Sequence, residues 1–257
     1  MGRKRERFER SDVPRDTPHR NLIALLVLVV IAAVGFLLIK TLWSRVQIES
    51  NMGDPDLVGC LDEQPGPTAL EGSFYYTDND IEKILFIQVD DPSAEHPTLK
   101  GAQLLLIDEV AGTAHLVDVP LNVRVTSEGA TYTFEEHFAS FGPVATIPLI
   151  TTSFNIYANH VIVGTTVPWG AIQGLAGTNQ FNVLGTNPDF VKSMHTDMDG
   201  GDLVDHGELF TTLNVAGLEV EECPVTGATT NEAGETTSVG VDLVPFGFQT
   251  GILIAEE

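Results

Sequence analysis

Positive charge is scarce in most of this chain. Nine of the 13 Lys and Arg residues lie before residue 46, so four remain in the last 212 residues: Lys83, Lys100, Arg124 and Lys192. Four of the 36 Asp and Glu residues lie in the same N-terminal part, which leaves 32 acidic residues against these four. A segment with this excess of negative charge repels nucleic acid and anionic lipid headgroups, so nucleic-acid binding is excluded as a function. A salt-rich habitat, wall cations or a basic partner would each account for the acidity.

Motifs of common enzyme classes are also missing. The sequence has no Gly-x-Ser-x-Gly, no phosphate-binding loop and no dinucleotide fingerprint. No pair of its seven histidines has the short spacing typical of a zinc site, so no metal site is expected. The acidic stretch from Asp197 to Glu208 has Asp202 where a calcium-binding loop needs glycine. An N-cap at Asp199 or Asp202 is the preferred interpretation of that stretch.

Only two cysteines occur, Cys60 and Cys223. Both lie after the N-terminal apolar run described below, in the part of the chain that is predicted to be extracellular. An even number of cysteines in an extracellular domain favours a disulfide between them. Two unrelated free thiols are the alternative, and two cysteines alone are too few for a zinc site.

One long apolar run is present near the N-terminus. Leu22 to Ile39 contains no polar side chain, which is just long enough for a transmembrane helix. Seven Lys and Arg residues precede the run, and the positive-inside rule therefore places the N-terminus in the cytoplasm. We predict a basic cytoplasmic tail (1–21), a transmembrane helix (22–43), an extracellular stalk (44–79) and an extracellular domain (80–257). The protein is thus expected to be a single-pass cell-membrane protein.

Short apolar runs and helical patterns alternate along the extracellular part. ILFIQV (84–89), 104–107, 116–119, HVIVGTTV (160–167), 218–225 and 239–244 read as strands. Thr133 followed by Glu135 and Glu136 predicts a helix start, and Gly142-Pro143 predicts a break before a second helix. Residues 226–238 are of low complexity and are predicted to form a loop. The fold class is therefore α/β, with a central sheet flanked by helices in an α/β/α sandwich.

Several of these segments resemble the LytR-CpsA-Psr (cell envelope-related transcriptional attenuator) family over residues 80–225. ILFIQVDD resembles the family's Ile-Leu-Leu-Leu-Gly-Ser-Asp, and Asp118-Val119-Pro120-Leu121-Asn122 stands where the family has Ser-Ile-Pro-Arg-Asp. TYTFEEHFASFGP, HVIVGTTVPWGAIQGLAG and NPDFVKSMHTDMDGGDLVDHGELF are similar to later segments of the family. The chain is therefore identified as a degenerate, shortened member of this family.

The resemblance implies a site for transferring phosphate-linked glycopolymers from a polyprenyl carrier to the cell wall. This chain departs from the family pattern at the arginines: Leu121 and Asn122 replace Arg-Asp, Leu99-Lys100-Gly101-Ala102 replaces Arg-Ser-Asp-Thr, and the arginine-rich segment has no counterpart between Gly177 and Asn187. Phosphoryl transfer depends on such charges, so a loss of catalysis is expected. The residual catalytic candidates are Asp90, Asp91, Lys100 and Arg124.

Three functions remain open at this point. The first is a non-catalytic binding or regulatory module at the cell wall, which needs no cofactor and contacts wall components or a polyprenyl-linked lipid. The second is a divergent phosphotransferase with Mg²⁺ held by Asp90 or Asp91, although an Asp-Asp-Pro turn explains these acids better. The third is an unrelated extracellular binding domain. A hydrophobic tunnel between sheet and helices would favour the first two functions, and a closed core would favour the third.

Overall fold

The computed structural model describes residues 25–36, 51–94 and 96–256. The chain divides into two compact units, Met1–Gln47 and Ile48–Glu257. In the first unit, residues 25–36 are helical (α1). Residues 22–24 and 37–43 of the predicted membrane helix fall outside the described part of the chain, as do the predicted basic tail (1–21) and residues 44–50 of the predicted stalk. No helix among the described residues has both the length and the apolar character needed to cross a membrane.

A six-stranded mixed sheet forms the centre of the second unit, with the strand order β8-β7-β2-β3-β4-β9. Its strands are β2 (Ile81–Val89), β3 (Leu99–Asp108), β4 (Thr113–Asp118), β7 (His160–Gly164), β8 (Met194–Thr196) and β9 (Val220–Glu221). Strands β2, β3 and β4 form an antiparallel meander, whereas β7 and β9 add in parallel to β2 and β4. The near-continuous apolar sequence of β2 is typical of a strand that is covered on both faces.

Alternate side chains of the sheet enter two separate hydrophobic clusters. Leu85 and Ile87 of β2 belong to the first cluster, and Ile84 and Phe86 belong to the second. Because successive side chains of a strand point to opposite faces, the clusters lie on opposite faces of the sheet. The predicted mixed α/β fold, with a central sheet flanked by helices, is confirmed.

Three helices cover the first face of the sheet: α2 (Pro55–Asp62), α3 (Phe134–Ser153) and α8 (Leu243–Gln249). Helix α3 begins at a capping box, in which Thr133 accepts a hydrogen bond from Glu136 N and the Glu136 carboxylate accepts one from Thr133 N. Gly142 has a φ of 75° and breaks the helical geometry, so the two predicted helices form one kinked element.

The second face is covered by α4 (Trp169–Gln173), α5 (Val183–Thr186), α6 (Pro188–Lys192) and α7 (Gly200–Leu213). Helix α7 is capped by Asp199, whose carboxylate accepts hydrogen bonds from Gly201 N and Asp202 N, as the preferred sequence interpretation predicted. A side chain on Gly207 would place its Cβ 2.7 Å from the Ile172 carbonyl oxygen. This glycine therefore permits the close approach of α7 to α4.

Two segments differ from the sequence predictions. Helix α2 and strand β1 (Phe74–Tyr76) lie in the predicted stalk, yet Leu57 and Leu61 are buried in the first cluster and β1 pairs with β12 (Leu253–Ala255). The predicted loop 226–238 is largely a hairpin of β10 (Val225–Thr230) and β11 (Thr236–Val241). A second hairpin joins β5 (Arg124–Ser127) and β6 (Ala130–Thr133). Residues 55–62 are buried because they pack against distant chain segments, whereas β10 and β11 pair locally across a short turn, and composition records neither arrangement.

Candidate functional site

The segment after β4 occupies the place where the family resemblance implies a phosphate site. Val119 is buried, and Leu121 packs against the first hydrophobic cluster. The backbone is fixed by hydrogen bonds from Val123 N to the Pro120 carbonyl and from Val239 N to the Asn122 carbonyl, at 3.0 and 3.1 Å. Leu121 therefore contributes to the core in the position where an anion-binding arginine was sought.

Arg124 makes its hydrogen bonds to the β10–β11 hairpin. Its Nη1 atom donates to the Gly227 carbonyl at 2.7 Å, and the hydroxyl oxygens of Thr229 and Ser238 lie at 3.3 and 3.4 Å. Arg124 also borders a cavity of about 180 Å³ that Glu136 lines as well, and the carboxylate of Glu136 opposes the entry of an anion. The guanidinium thus joins two hairpins, which gives this catalytic candidate a structural role.

Asp90 and Asp91 form the turn that follows β2. One Asp90 carboxylate oxygen accepts hydrogen bonds from Thr98 N and Asp91 N, at 2.7 and 2.9 Å, and Asp91 accepts one from Ser93 N at 3.0 Å. The hydrogen bonds from Thr98 lower the pKa of Asp90. These two acids belong to no group of metal-binding side chains within the described ranges. Lys100, the remaining candidate, is exposed on β3.

A cavity between the sheet and α3 is almost completely filled. It is lined by Leu85, Leu104, Val119, Ile150, Thr151, Phe154 and Ile156, and its volume is about 10 Å³. This is roughly the space of one water-sized probe and far below that of a polyprenyl chain. A closed core is the arrangement that we expect of the third function, an unrelated extracellular binding domain.

The predicted disulfide is not formed, and Cys60 and Cys223 are both free and buried. Each thiol contacts a nearby backbone carbonyl, Cys60 Sγ that of Leu57 at 3.1 Å and Cys223 Sγ that of Pro224 at 3.5 Å. Burial raises the pKa of both thiols to about 12. The two side chains therefore pack as small apolar groups within the first cluster.

The structure also brings together Glu82, His160 and His206, here called the histidine–carboxylate cluster. Glu82 and His160 lie on neighbouring strands, since His160 pairs with Ile84 of β2. Glu82 lies two residues before Ile84, and His160 lies two residues before Ile162. Residues two apart on a strand point to the same face, so both side chains point to the second face of the sheet, where Ile84 and Ile162 are buried. His206 lies on the buried side of α7, three residues after Leu203 and four before Phe210.

The ligand-type atoms of this cluster are close to one another. His206 Nε2 lies 2.7 Å from Glu82 Oε1, and His160 Nε2 lies 3.6 Å from the same oxygen. Burial favours a higher pKa for Glu82, but its hydrogen bond and charge interaction with His206 lower this pKa overall. Burial likewise opposes protonation of His206, yet the hydrogen bond to Glu82 raises the pKa of the histidine overall.

A polar cavity of about 380 Å³ adjoins the cluster. Its lining includes Glu82 and His160 together with Asp80, Glu109, Val110 and Asn159. The cavity therefore connects Glu82 and His160 of the cluster with solvent, and two further carboxylates, those of Asp80 and Glu109, line it. Sequence reasoning missed it because Glu82 and His206 are 124 residues apart. The one available signal was an acidic residue near the start of the mostly apolar strand β2.

No protein-family model matches this sequence, and no curated protein matches it. Solved structures of LytR-CpsA-Psr proteins, however, are among its structural neighbours. TagV of B. subtilis is 9% identical with a TM-score of 0.47, covering 68% of this chain and 96% of TagV. TagT, solved bound to LI-WTA, is 13% identical with a TM-score of 0.38, covering 73% of this chain and 97% of TagT. The Lin1025 protein of Listeria innocua is 9% identical with a TM-score of 0.42, covering 68% of this chain and 100% of Lin1025.

Proposed function

We propose that this chain is a membrane-anchored protein of the cell envelope whose folded unit, Ile48–Glu257, is a non-catalytic binding module. The observation that carries the proposal is the packing of Leu121 against the first hydrophobic cluster, at the position where the resemblance implies an arginine. The closed layer between the sheet and α3 by itself favours an unrelated binding domain, and it is compatible with a module that binds its partner at the surface. A transferase of the kind implied by the sequence needs space for the carrier lipid and cations for its phosphates. Neither requirement is met by the closed layer or by the segment after β4.

The positions of the two candidate cations, and of the leucine that stands in place of a third, support the same proposal. Arg124 donates to the Gly227 carbonyl, Lys100 is exposed on β3, and Leu121 packs against the core. Without a cluster of cations, the acid excess of residues 46–257 repels a pyrophosphate. The module therefore recognises a neutral or cationic partner through its surface, and it leaves lipid-linked phosphates unbound.

Membrane anchoring is part of the proposal and rests on the sequence. The apolar run Leu22–Ile39 follows seven basic residues, a pattern that places residues 1–21 in the cytoplasm and the folded unit outside the cell. Fusing a reporter enzyme to either end of the chain tests this orientation, because only the C-terminal fusion is expected to be active outside the cytoplasm.

The decisive experiment incubates the full-length protein, purified in detergent, with a polyprenyl pyrophosphate and Mg²⁺. Saturable binding and cleavage of the pyrophosphate bond are measured separately, and neither is expected above the level of detergent alone. Cleavage by the wild-type protein that disappears in an Arg124→Ala, Asp91→Asn double variant would establish a divergent phosphotransferase and overturn the proposal. Saturable binding without cleavage would contradict its claim that lipid-linked phosphates are not recognised.

A further inference from the structure

The two histidines of the histidine–carboxylate cluster are held in one orientation by groups behind them. His160 Nδ1 lies 2.7 Å from an Asp197 carboxylate oxygen, and His206 Nδ1 lies 2.6 Å from the Asp202 carbonyl oxygen. Both partners accept hydrogen bonds, so each Nδ1 carries the proton and donates it. His206 Nε2 must give up the proton that it donates to Glu82 at 2.7 Å before it can bind an ion, and in the neutral form of each ring the Nε2 lone pair is directed towards Glu82.

This arrangement of outer partners is the one that metal-binding histidines have. Such a histidine donates its second ring N–H to a carboxylate or a backbone carbonyl, which fixes the tautomer and raises the basicity of the ligand nitrogen. Asp197 is itself fixed, because its other oxygen accepts a hydrogen bond from Val161 N at 2.7 Å. The side chain of Asp197 is 7% exposed, so its orientation is set by the protein.

The distances suit a small ion with modest side-chain adjustment. The three ligand atoms lie within 4.8 Å of one another. Two ligands in a tetrahedral zinc site with bonds of about 2.1 Å are separated by about 3.4 Å. The separation of His160 Nε2 from Glu82 Oε1, 3.6 Å, is already close to this value, whereas that of His206 Nε2, 2.7 Å, must lengthen slightly.

The chemistry of the donor set selects the kind of ion. Two imidazole nitrogens and one carboxylate suit zinc and the neighbouring transition metals, whereas Mg²⁺ and Ca²⁺ prefer shells of oxygen atoms. The polar cavity beside Glu82 and His160 leaves room for a water molecule or another ligand in a fourth position. Asp80 and Glu109 in its lining attract cations to the site.

We propose that Glu82, His160 and His206 bind one divalent transition-metal ion and that zinc is the preferred ion. A fourth coordination position is open to the polar cavity. Asp197 acts as a positioning residue through His160. The site lies on the second face of the sheet, apart from the closed layer on the first face. Metal binding therefore stands or falls independently of whether the protein is a transferase.

The test uses full-length, metal-free protein in detergent, without a polyhistidine tag. Titration with Zn²⁺ is expected to show one site, and an equal titration with Mg²⁺ to show none. Co²⁺ as a probe is expected to give visible absorption bands of a nitrogen–oxygen site without the charge-transfer bands of thiolate ligands, which excludes Cys60 and Cys223. Absence of stoichiometric Zn²⁺ binding by the wild-type protein would overturn the proposal and leave a protonated His206 paired with Glu82.

Three variants assign the site to its residues. His206→Asn is expected to abolish the one-site binding, and Asp197→Asn to weaken it about 10- to 100-fold. His115→Asn is the matched control, since His115 forms a comparable pair with Glu221 at 3.0 Å on the edge of the sheet away from the cluster. Equal loss of Zn²⁺ affinity in the His115 and His206 variants would contradict the assignment. If His206→Asn fails to fold, the Asp197→Asn variant and the Co²⁺ spectrum of the wild type decide the question.

Discussion

The two faces of the central sheet use their polar residues in opposite ways. On the first face, the segment after β4 and the kinked helix α3 enclose an almost filled apolar layer, and Arg124 is hydrogen-bonded to a hairpin. On the second face, Glu82, His160 and His206 leave three donor atoms converging beside an open cavity. The converging polar groups of this chain therefore lie away from the position that the sequence resemblance implies.

The largest expected effect comes from opening the closed layer. Phe154 is buried against Phe246 and lines the small cavity, so Phe154→Ala is expected to lower the free energy of unfolding by about 3–5 kcal/mol. Denaturant unfolding measures this change. Phe181→Ala, at a side chain that is 88% exposed, is the control and is expected to change it by less than about 0.5 kcal/mol. Similar values for the two variants would mean that the layer is not tightly packed.

The next effect belongs to the second face. At a free Zn²⁺ concentration of about 100 times its dissociation constant, the free energy of unfolding is expected to rise by about 2.7 kcal/mol, because the ion binds only the folded chain. Thermal unfolding with and without Zn²⁺ measures the rise, and the His206→Asn variant should show none. A rise of equal size in that variant would place the ion elsewhere.

A smaller effect is expected at Arg124. Arg124→Ala leaves the Gly227 carbonyl without its charged donor and is expected to lower the free energy of unfolding by about 1–2 kcal/mol. Arg124→Lys should not restore the loss, since an ammonium group does not reproduce the planar geometry of the guanidinium. Unchanged stability of both variants in denaturant unfolding would contradict the structural role of Arg124. The residue would then again be a candidate for a catalytic role in the transferase alternative.

The smallest effect concerns the two thiols. A pKa of about 12 means that Cys60 and Cys223 are neutral at physiological pH, and the thiolate is the reactive form. Iodoacetamide is therefore expected to modify neither thiol in the native protein and both after unfolding, as mass spectrometry would record. Detection of fewer than two thiols in unfolded protein prepared without reductant would restore the predicted disulfide.

Local chemistry in the sequence predicted much of the fold. The helix start at Thr133, the break at Gly142 and the cap at Asp199 or Asp202 were predicted from neighbouring residues, and the structure has the start, the break and a cap at Asp199. The apolar runs of β2 and β7 predicted strands, whose alternation also sorts their side chains between the two faces. Predictions failed for residues 55–62, which pack against distant segments, and for residues 226–238, where a local hairpin forms despite a polar composition.

The sequence by itself determined the strand and helix periodicity, the excess of acid over base and the absence of an arginine cluster, because these are properties of neighbouring residues or of composition. Tertiary structure decided that Cys60 and Cys223 stay apart as thiols and that Leu121 packs against the first hydrophobic cluster. It also decided that Glu82 meets a histidine 124 residues away. The physical reason is that the pairing of β2 with β7 and the packing of α7 on the sheet set these distances, and both bring together residues that no local pattern connects.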